Sequence, residues 1–249
     1  MTRRRFIADS WTDTTATLTG DQAVHLARVL RAEPGQIYDI VSNGFLHRAE
    51  ITHVSEQRVD FSLHEELSSD AALPLHLLLA IFKFDHMEWA IEKATELGVS
   101  RITPVLARRT EKHLAQAARK RSERWRRIAL EASKQSRRTT IPQIPDPIAL
   151  KPALERETTP TRILLSETEQ QTTLTAALTD SVRPASEESV ALNVQITHAL
   201  AIGPEGGWTP EEISLFTQHQ WQPVTLGPRI LRAETAAIAA IAIAGTHLT

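Results

Sequence analysis

The sequence predicts an α/β protein with a mostly parallel sheet, helices on its faces, and a small β unit in front. Three observations lead there. Up to about residue 70, apolar residues alternate with polar ones around a tight Asn43-Gly44 turn, the pattern of antiparallel strands with one wet face. Residues 67–74 (LSSDAALP) then form the best linker in the chain. Beyond it, nearly continuous apolar runs alternate with segments at helical spacing, as in βαβ units whose strands are buried on both faces.

In the front unit, Asp21 is placed to cap a short helix with Val24, Ala27 and Leu30 on one face. Residues 37–41 pair with 45–54 across Ser42-Asn43-Gly44, and Val59, Phe61 and Leu63 mark a further strand. The linker sets domain bounds of 1–70 and 74–249. Residues 75–82 read as a doubly buried strand. Met87, Ala90, Ile91, Ala94 and Leu97 give a helix over 87–97, which Gly98 stops. A strand over 102–107 precedes a long helix with Trp125, Ile128, Ala129 and Ala132 on one face. Lys120, Arg124, Arg127, Lys134 and Arg138 fall near its other face. Residues 163–165 and 199–202 are short strands, and 167–194 is polar, a loop with a weak helix. Thr209, Pro210 and Glu212 have the spacing of N-cap, N1 and N3 in a capping box. A last strand over 224–226 leads to a helix over 235–244, apolar all round and therefore expected to be buried between neighbours.

Composition narrows the function. The chain has 249 residues, 41% hydrophobic and 23% charged, as in a soluble globular protein of one large or two ordinary domains. Net charge is only -2, but 101–138 carries thirteen lysines and arginines against three glutamates, an excess of ten positive charges. That asymmetry fits either a local polyanion site or a basic solvated face. The chain has no cysteine, which removes disulfides, thiolate metal sites and cysteine nucleophiles. Its ten histidines lack HxxxH or HExxH spacing, so no metal site is expected. The N-terminus has no apolar stretch behind its arginines, and the longest apolar run falls far short of the roughly 20 residues of a membrane span. A soluble, cytoplasmic protein is expected.

The chemistry concentrates in two loops. Gly203-Pro204-Glu205-Gly206-Gly207 ends one predicted strand and enters a helix. Its glycines permit positive φ and close approach of a ligand to the backbone, and the helix start offers free N–H groups. The pattern is neither GxGxxG nor a P-loop, so dinucleotide and NTP sites are unsupported. Taken alone, a tight strand-to-helix turn explains it equally well. The second loop, Leu226-Gly227-Pro228-Arg229-Ile230-Leu231-Arg232, sets two arginines beside an apolar pair just before the last helix. Arginines held there call for an anionic partner, either a ligand or one of Glu205 and Glu234.

GPEGGWTPEE with LGPRILRAETA, together with KFDHMEWAIEKATELGVSRITPV and EASKQSRRTTIPQI, resembles the RsmE family over nearly the whole chain. These are small-subunit ribosomal RNA uridine-N3 methyltransferases of the SPOUT superfamily. RRRFIADS and HLARVLRAEPGQ are similar to that family's PUA-like RNA-binding domain, a β-barrel. The resemblance implies a homodimer whose residues 74–249 form a SPOUT (alpha/beta knot) domain with a deep trefoil knot, one of the few exceptions to unthreaded chains. S-adenosyl-L-methionine is then expected on Leu165, Ser166, Ile202, Gly203, Pro204, Glu205, Gly206, Gly207, Leu226, Gly227, Ile230 and Leu231. Ile230 and Leu231 would enclose the adenine. The substrate implied is a uridine of 16S ribosomal RNA.

With a methyl group already activated, the protein must align the reactants and help N3 of the uracil lose its proton. Arg232 is the leading candidate to stabilise charge on O2 or O4. Glu234 is a base or, preferably, the orienter of Arg232. No histidine stands in the two glycine loops, and a histidine base is not expected. RNA contacts are assigned to Arg3, Arg4, Arg5, His25, Arg28, Arg31, Lys83, Lys134, Gln135, Arg137 and Arg138. Phe84-Asp85-His86 replaces a more basic turn of the family, which weakens Lys83 in that role. Trp11, Trp89, Trp125 and Trp221 read as core, while Trp208 is the aromatic best placed to stack on a ligand. Two other readings remain: a non-catalytic RNA-binding or ribosome-assembly factor, and a SPOUT methyltransferase for another RNA.

Overall fold

The computed structural model describes residues 5–68, 71–181 and 195–248. By their contacts the residues group into two compact units, Met1–Ala71 with Ser133–Thr140, and Ala72–Ala132 with Ile141–Thr249. A boundary thus falls within the predicted linker, and a second, short stretch of chain joins the first unit.

The first unit is a six-stranded sheet of β1 (Arg5–Ile7), β2 (Ser10–Trp11), β3 (Thr15–Thr19), β4 (Ile37–Ser42), β5 (Phe45–Val54) and β6 (Arg58–Leu67), in the order β1-β4-β5-β6-β3-β2. Only β1 and β4 pair in parallel. Asn43 (φ 51) and Gly44 (φ 84) both take the left-handed backbone of a two-residue hairpin turn, as their identities require. Two register shifts between β5 and β6 curl the sheet around Leu18, Ile40, Ile51, Val59 and Phe61. The short helix is α1 (Gly20–Val24), and its N-cap is Thr19 rather than Asp21. Gly20, at φ 56, turns the chain into the helix two residues early, and Asp21 sits in the first turn, where a carboxylate complements the helix dipole. A π-helical turn, His25–Val29, follows directly. The wider turn rotates the face: Ala23 and Leu26 are buried, while Val24, Ala27 and Leu30 are only half-buried.

The second unit holds β7 (Leu73–Ala80), β8 (Val99–Leu106), β9 (Ile148–Ala149), β10 (Thr161–Leu165), β11 (His198–Ile202) and β12 (Gln222–Val224). Their order is β12-β10-β11-β7-β8-β9, and every pairing is parallel. Successive side chains of β7 serve opposite faces. Leu75, Leu77 and Leu79 pack with α2 (Phe84–Glu96), α3 (Lys112–Gln135), α5 (Leu174–Ser181) and α7 (Ala233–Leu248). Leu78 and Ala80 pack with α4 (Leu150–Arg156) and α6 (Pro210–Gln218), through Leu154 and Phe216. Gly98 (φ 98) ends α2 as predicted, and the capping box of α6 is formed in full. The sequence reading had no counterpart for β9 or α4, which are too short to carry a period. Helix α7 is buried on one side only: Ala237, Ala240, Ile241 and Ala244 are covered, while Ala236, Ile238, Ala239 and Ile243 stay half-exposed. The expectation of burial all round is therefore not met within one chain.

Under the second of these faces lies a buried polar chain. His76 Nδ1 meets Glu157 Oε2 at 2.5 Å, its Nε2 meets Thr103 Oγ1 at 2.7 Å, and Thr159 N donates to Glu157 Oε1 at 3.0 Å. Burial would raise the Glu157 carboxyl, but His76 and the Thr159 groups outweigh it and hold it down at about 2. A depressed carboxyl stabilises the fold above its unfolded value of 4.5, and that stability is lost as pH falls through about 2. Glu157→Gln is expected to cost roughly 2–3 kcal/mol at neutral pH. Denaturant melts across acid pH should show the gap between variant and parent closing between pH 4.5 and about 2.

Candidate active site

Because all pairs in the second sheet are parallel, the carboxyl ends of β7, β10, β11 and β12 lie along one edge, and the chain leaves the sheet there four times. The segments after these strands line a cavity of about 1470 Å³. Pockets for one small molecule run to roughly 300–1000 Å³, so this one has room for two partners side by side.

Its walls are backbone turns fixed by neighbouring residues. After β11, a Cβ on Gly203 would come within 3.1 Å of the Trp208 Nε1, so any side chain there requires the indole to give way. Trp208 turns inward onto Phe216, with ring centroids 4.8 Å apart. Gly207, at φ 69, donates its N–H to Pro204 O at 2.8 Å and closes the turn. Glu212 then accepts from Thr209 N at 2.9 Å and from Arg108 N at 2.7 Å, so the capping residue also holds the turn after β8. After β12, Thr225 Oγ1 accepts from Gly227 N at 3.1 Å, and Gly227 takes φ 114. Thr225 N donates to Thr172 O, and Leu174 N to Thr225 O, which joins the segment after β10 to the one after β12.

The lining mixes three kinds of group. Leu165, Ile202, Leu226, Ile230 and Leu231 supply apolar surface, and Ile230 is 85% exposed. Glu167, Glu169 and Glu205 supply carboxylates; the amides of Thr172 and Gln171 hold the Glu169 carboxyl below its usual range, so it is ionised at neutral pH. Lys83, Arg109, Arg229 and Arg232 supply cations. Such a set suits a flat heterocycle carrying charges of both signs. Among the described residues no group of three histidines or carboxylates is arranged to hold a metal ion.

Of the twelve residues expected around the cofactor, Leu165, Ser166, Ile202, Gly203, Pro204, Glu205, Gly207, Leu226, Gly227, Ile230 and Leu231 line this cavity. Gly206 lies against Arg109 instead, whose Nη1 donates to the Gly206 carbonyl at 2.5 Å. Arg232 lines the cavity and is exposed. Glu234 does not pair with it: that carboxylate is 2% exposed in the first turn of α7, and no ion pair joins Arg229 or Arg232 to Glu205 or Glu234 among the described residues. Both carboxylates instead approach His86, with Nδ1 at 3.4 Å from Glu234 Oε1 and 3.9 Å from Glu205 Oε1. His86 lies outside both glycine loops; in the sequence it stands in the KFDHMEWAIEK segment, where it reads only as part of a less basic turn after Lys83.

The residues expected to contact RNA are not all of one kind. Arg3 and Arg4 lie outside the described residues. Arg5 donates to the Arg137 carbonyl. His25, Arg28 and Arg31 are exposed in the first unit, and Arg28 is paired with Glu56 at 2.8 Å. Gln135 and Arg137 are exposed; Lys134 and Arg138 are half-buried, and burial lowers the Arg138 guanidinium to about 10. Lys83 is exposed in the second unit. Part of the basic excess is internal. Arg121 and Arg124 pair with Glu88, Arg119 and Arg126 pair with Asp146, and Arg121 also covers the Phe84 ring at 4.9 Å. Trp125 and Trp221 are core, but Trp11 and Trp89 are about half exposed, and Trp208 is packed inside rather than offered for stacking.

Residues 69–245 match the model of a family described as the RNA methyltransferase domain. The chain is 35% identical to a ribosomal RNA small subunit methyltransferase E of Synechocystis, covering 92% of this chain and 72% of that protein. It is 32% identical to the Bacillus subtilis protein of the same name, covering 91% and 88%. A ribosomal RNA small subunit methyltransferase E from Neisseria gonorrhoeae, solved bound to S-adenosyl methionine, superimposes with a TM-score of 0.79 at 30% identity over 98% of both chains.

Gly203→Ala should push Trp208 off Phe216 and destabilise the protein by roughly 1–3 kcal/mol. A lower melting temperature with a shifted tryptophan emission is the expected result; an unchanged melt would mean the turn can absorb a methyl group.

Proposed function

The chain belongs to the RNA methyltransferase family, and on that premise we propose that it methylates N3 of a uridine in 16S ribosomal RNA of the small subunit, using S-adenosylmethionine. One observation carries the reading: loops from three adjacent parallel strands meet around one cavity that has room for a nucleobase beside the cofactor.

The cofactor would be held by Leu165 and Ser166, by Ile202 to Glu205 with Gly207, and by Leu226 to Leu231. The fit rests on the apolar side chains beside Glu167, Glu169 and Glu205, since the ligand joins a heterocycle to cationic groups. When bound it supplies an activated methyl group. The remaining work falls to this chain. The loops orient the uracil and exclude water, and Arg232, exposed in the same cavity, stabilises negative charge on O2 or O4 as N3 loses its proton.

For the RNA, residues 1–70 act as a PUA-like binding domain and 74–249 as the SPOUT methyltransferase domain. Arg5, His25, Arg28, Arg31, Gln135 and Arg137 are the surface contacts, Lys134 and Arg138 support them, and Lys83 meets the nucleotide at the cavity. The half-exposed alanines and isoleucines of α7 support a homodimer that covers them. No helix of the described residues is long and apolar enough to cross a membrane, and a ribosomal RNA substrate supports a cytoplasmic location.

Titration calorimetry with S-adenosylmethionine should give micromolar-range binding that Gly206→Trp removes, since the new ring meets the Arg109 side chain. An unaltered isotherm would take that loop out of the cofactor site. Arg232→Ala should lower methyl transfer by roughly 10²–10³-fold while leaving that isotherm intact; equal loss of both would reject the role given to the arginine. Arg137→Glu should weaken RNA binding and reduce the slope of log K against log salt by about 1, and unchanged binding would remove this residue from the interface.

A further inference from the structure

The proposed reaction needs an acceptor for the uracil N3 proton, and neither Arg232 nor any residue of the glycine loops is a base at neutral pH except the carboxylates. His86 stands in the first turn of α2 and lines the same cavity as Arg232. Its Nδ1 points inward, buried and without a hydrogen-bond partner, towards Glu234 Oε1 at 3.4 Å and Glu205 Oε1 at 3.9 Å. Glu234 is the more enclosed of the two, its side chain 3% exposed and its Oε2 also buried without a partner. Left apart, the buried ring nitrogen carries an unmet polar group; an N–H at Nδ1 turned onto the Glu234 carboxylate gives it a charged partner. A shift of a few tenths of an ångström would bring the 3.4 Å separation into the usual hydrogen-bond range, and such contacts are often long before substrate arrives.

With hydrogen on Nδ1, the lone pair is on Nε2, the edge of the ring away from Glu234. This is the arrangement in which a carboxylate fixes the tautomer of a catalytic imidazole. The charged groups around the ring are Asp85 on its own helix (Oδ2 3.8 Å from Nε2, itself 78% exposed), Glu205 from the loop after β11 and Glu234 from α7. Lys83, Arg109 and Arg232 line the cavity beside them.

Resting on the methyltransferase reading above, we propose that His86 is the base that takes the N3 proton of the uridine, and that Glu234 is its positioning residue. The N3–H bond breaks and its proton passes to His86 Nε2. The electron pair left on N3 forms the bond to the methyl carbon, and the carbon–sulfur pair stays with the sulfur of the methyl donor. His86 then returns its proton to solvent. Arg232 stabilises the charge on the ring oxygens while the proton is in transit, so base and cation act on different atoms of one uracil.

The test uses the full chain, small-subunit particles lacking the modification, and single-turnover methyl transfer measured from weakly acid to weakly alkaline pH. His86→Gln and His86→Asn should lower the rate at neutral pH by about 10²–10⁴-fold, abolish the acid limb of the profile, and leave the S-adenosylmethionine isotherm unchanged. Glu234→Gln should give a smaller loss with the limb retained. Independently of activity, side-chain ¹⁵N shifts of the parent should show His86 as the Nδ1–H tautomer and a mixture in Glu234→Gln. A parent rate and unaltered acid limb in both His86 variants, or an Nε2–H tautomer in the parent, would overturn the proposal while methyl transfer by the parent left the enzyme reading standing. A parent that transfers no methyl group to the particle would reject both.

Discussion

The site depends on one constraint, the parallel pairing of β10 with both β11 and β12. Leu164 lies beside Ala201 and Leu165 beside Val224, so the three strands end almost in step. Parallel neighbours cannot be joined by hairpins, so each strand is left and re-entered through a crossover. Three departures therefore fall on one short stretch of sheet edge. The alternate burial of β7 and its neighbours on both faces keeps that edge rigid, with α2, α3, α5 and α7 on one side and α4 and α6 on the other. Tight loops on a rigid edge make a preorganised cavity.

Given that edge, backbone conformation decides the cavity's shape. Gly203 is needed for closeness, because Trp208 lies beneath it, whereas Gly207 and Gly227 are needed for their left-handed φ values. Glu212 serves two purposes: it completes the capping box of α6 and holds the Arg108 amide, so the helix entrance and the turn after β8 are ordered together.

Two histidine–glutamate pairs in the same unit show how surroundings assign roles. In the pair of His76 and Glu157, both ring nitrogens and both carboxylate oxygens have partners, in Thr103 and Thr159 and in each other. Nothing is left over for a substrate, and the pair is structural. The pair of His86 and Glu234 is incomplete, with unmet atoms on both residues, and His86 lines the cavity. Residue types alone do not separate the two cases; hydrogen-bond satisfaction does.

The amino-acid sequence by itself determined the features that depend on residues a few positions apart. The Asn43-Gly44 hairpin, the stop at Gly98, the capping box at Thr209 and the buried periods of β7 and α2 are of this kind, because turn chemistry and side-chain periodicity are local. The two glycine loops were legible for the same reason, and with them most of the cavity lining. Only the tertiary structure decided the strand order, the π turn that rotated the first helix face, and the exposure of Trp11 and Trp89. It also decided charge pairing: Glu88 and Asp146 take up four arginines of the basic segment, and Glu234 turns from Arg232 to His86. Partners of a charged side chain are set by which elements pack together, and residues distant in the chain meet through packing that no local pattern encodes.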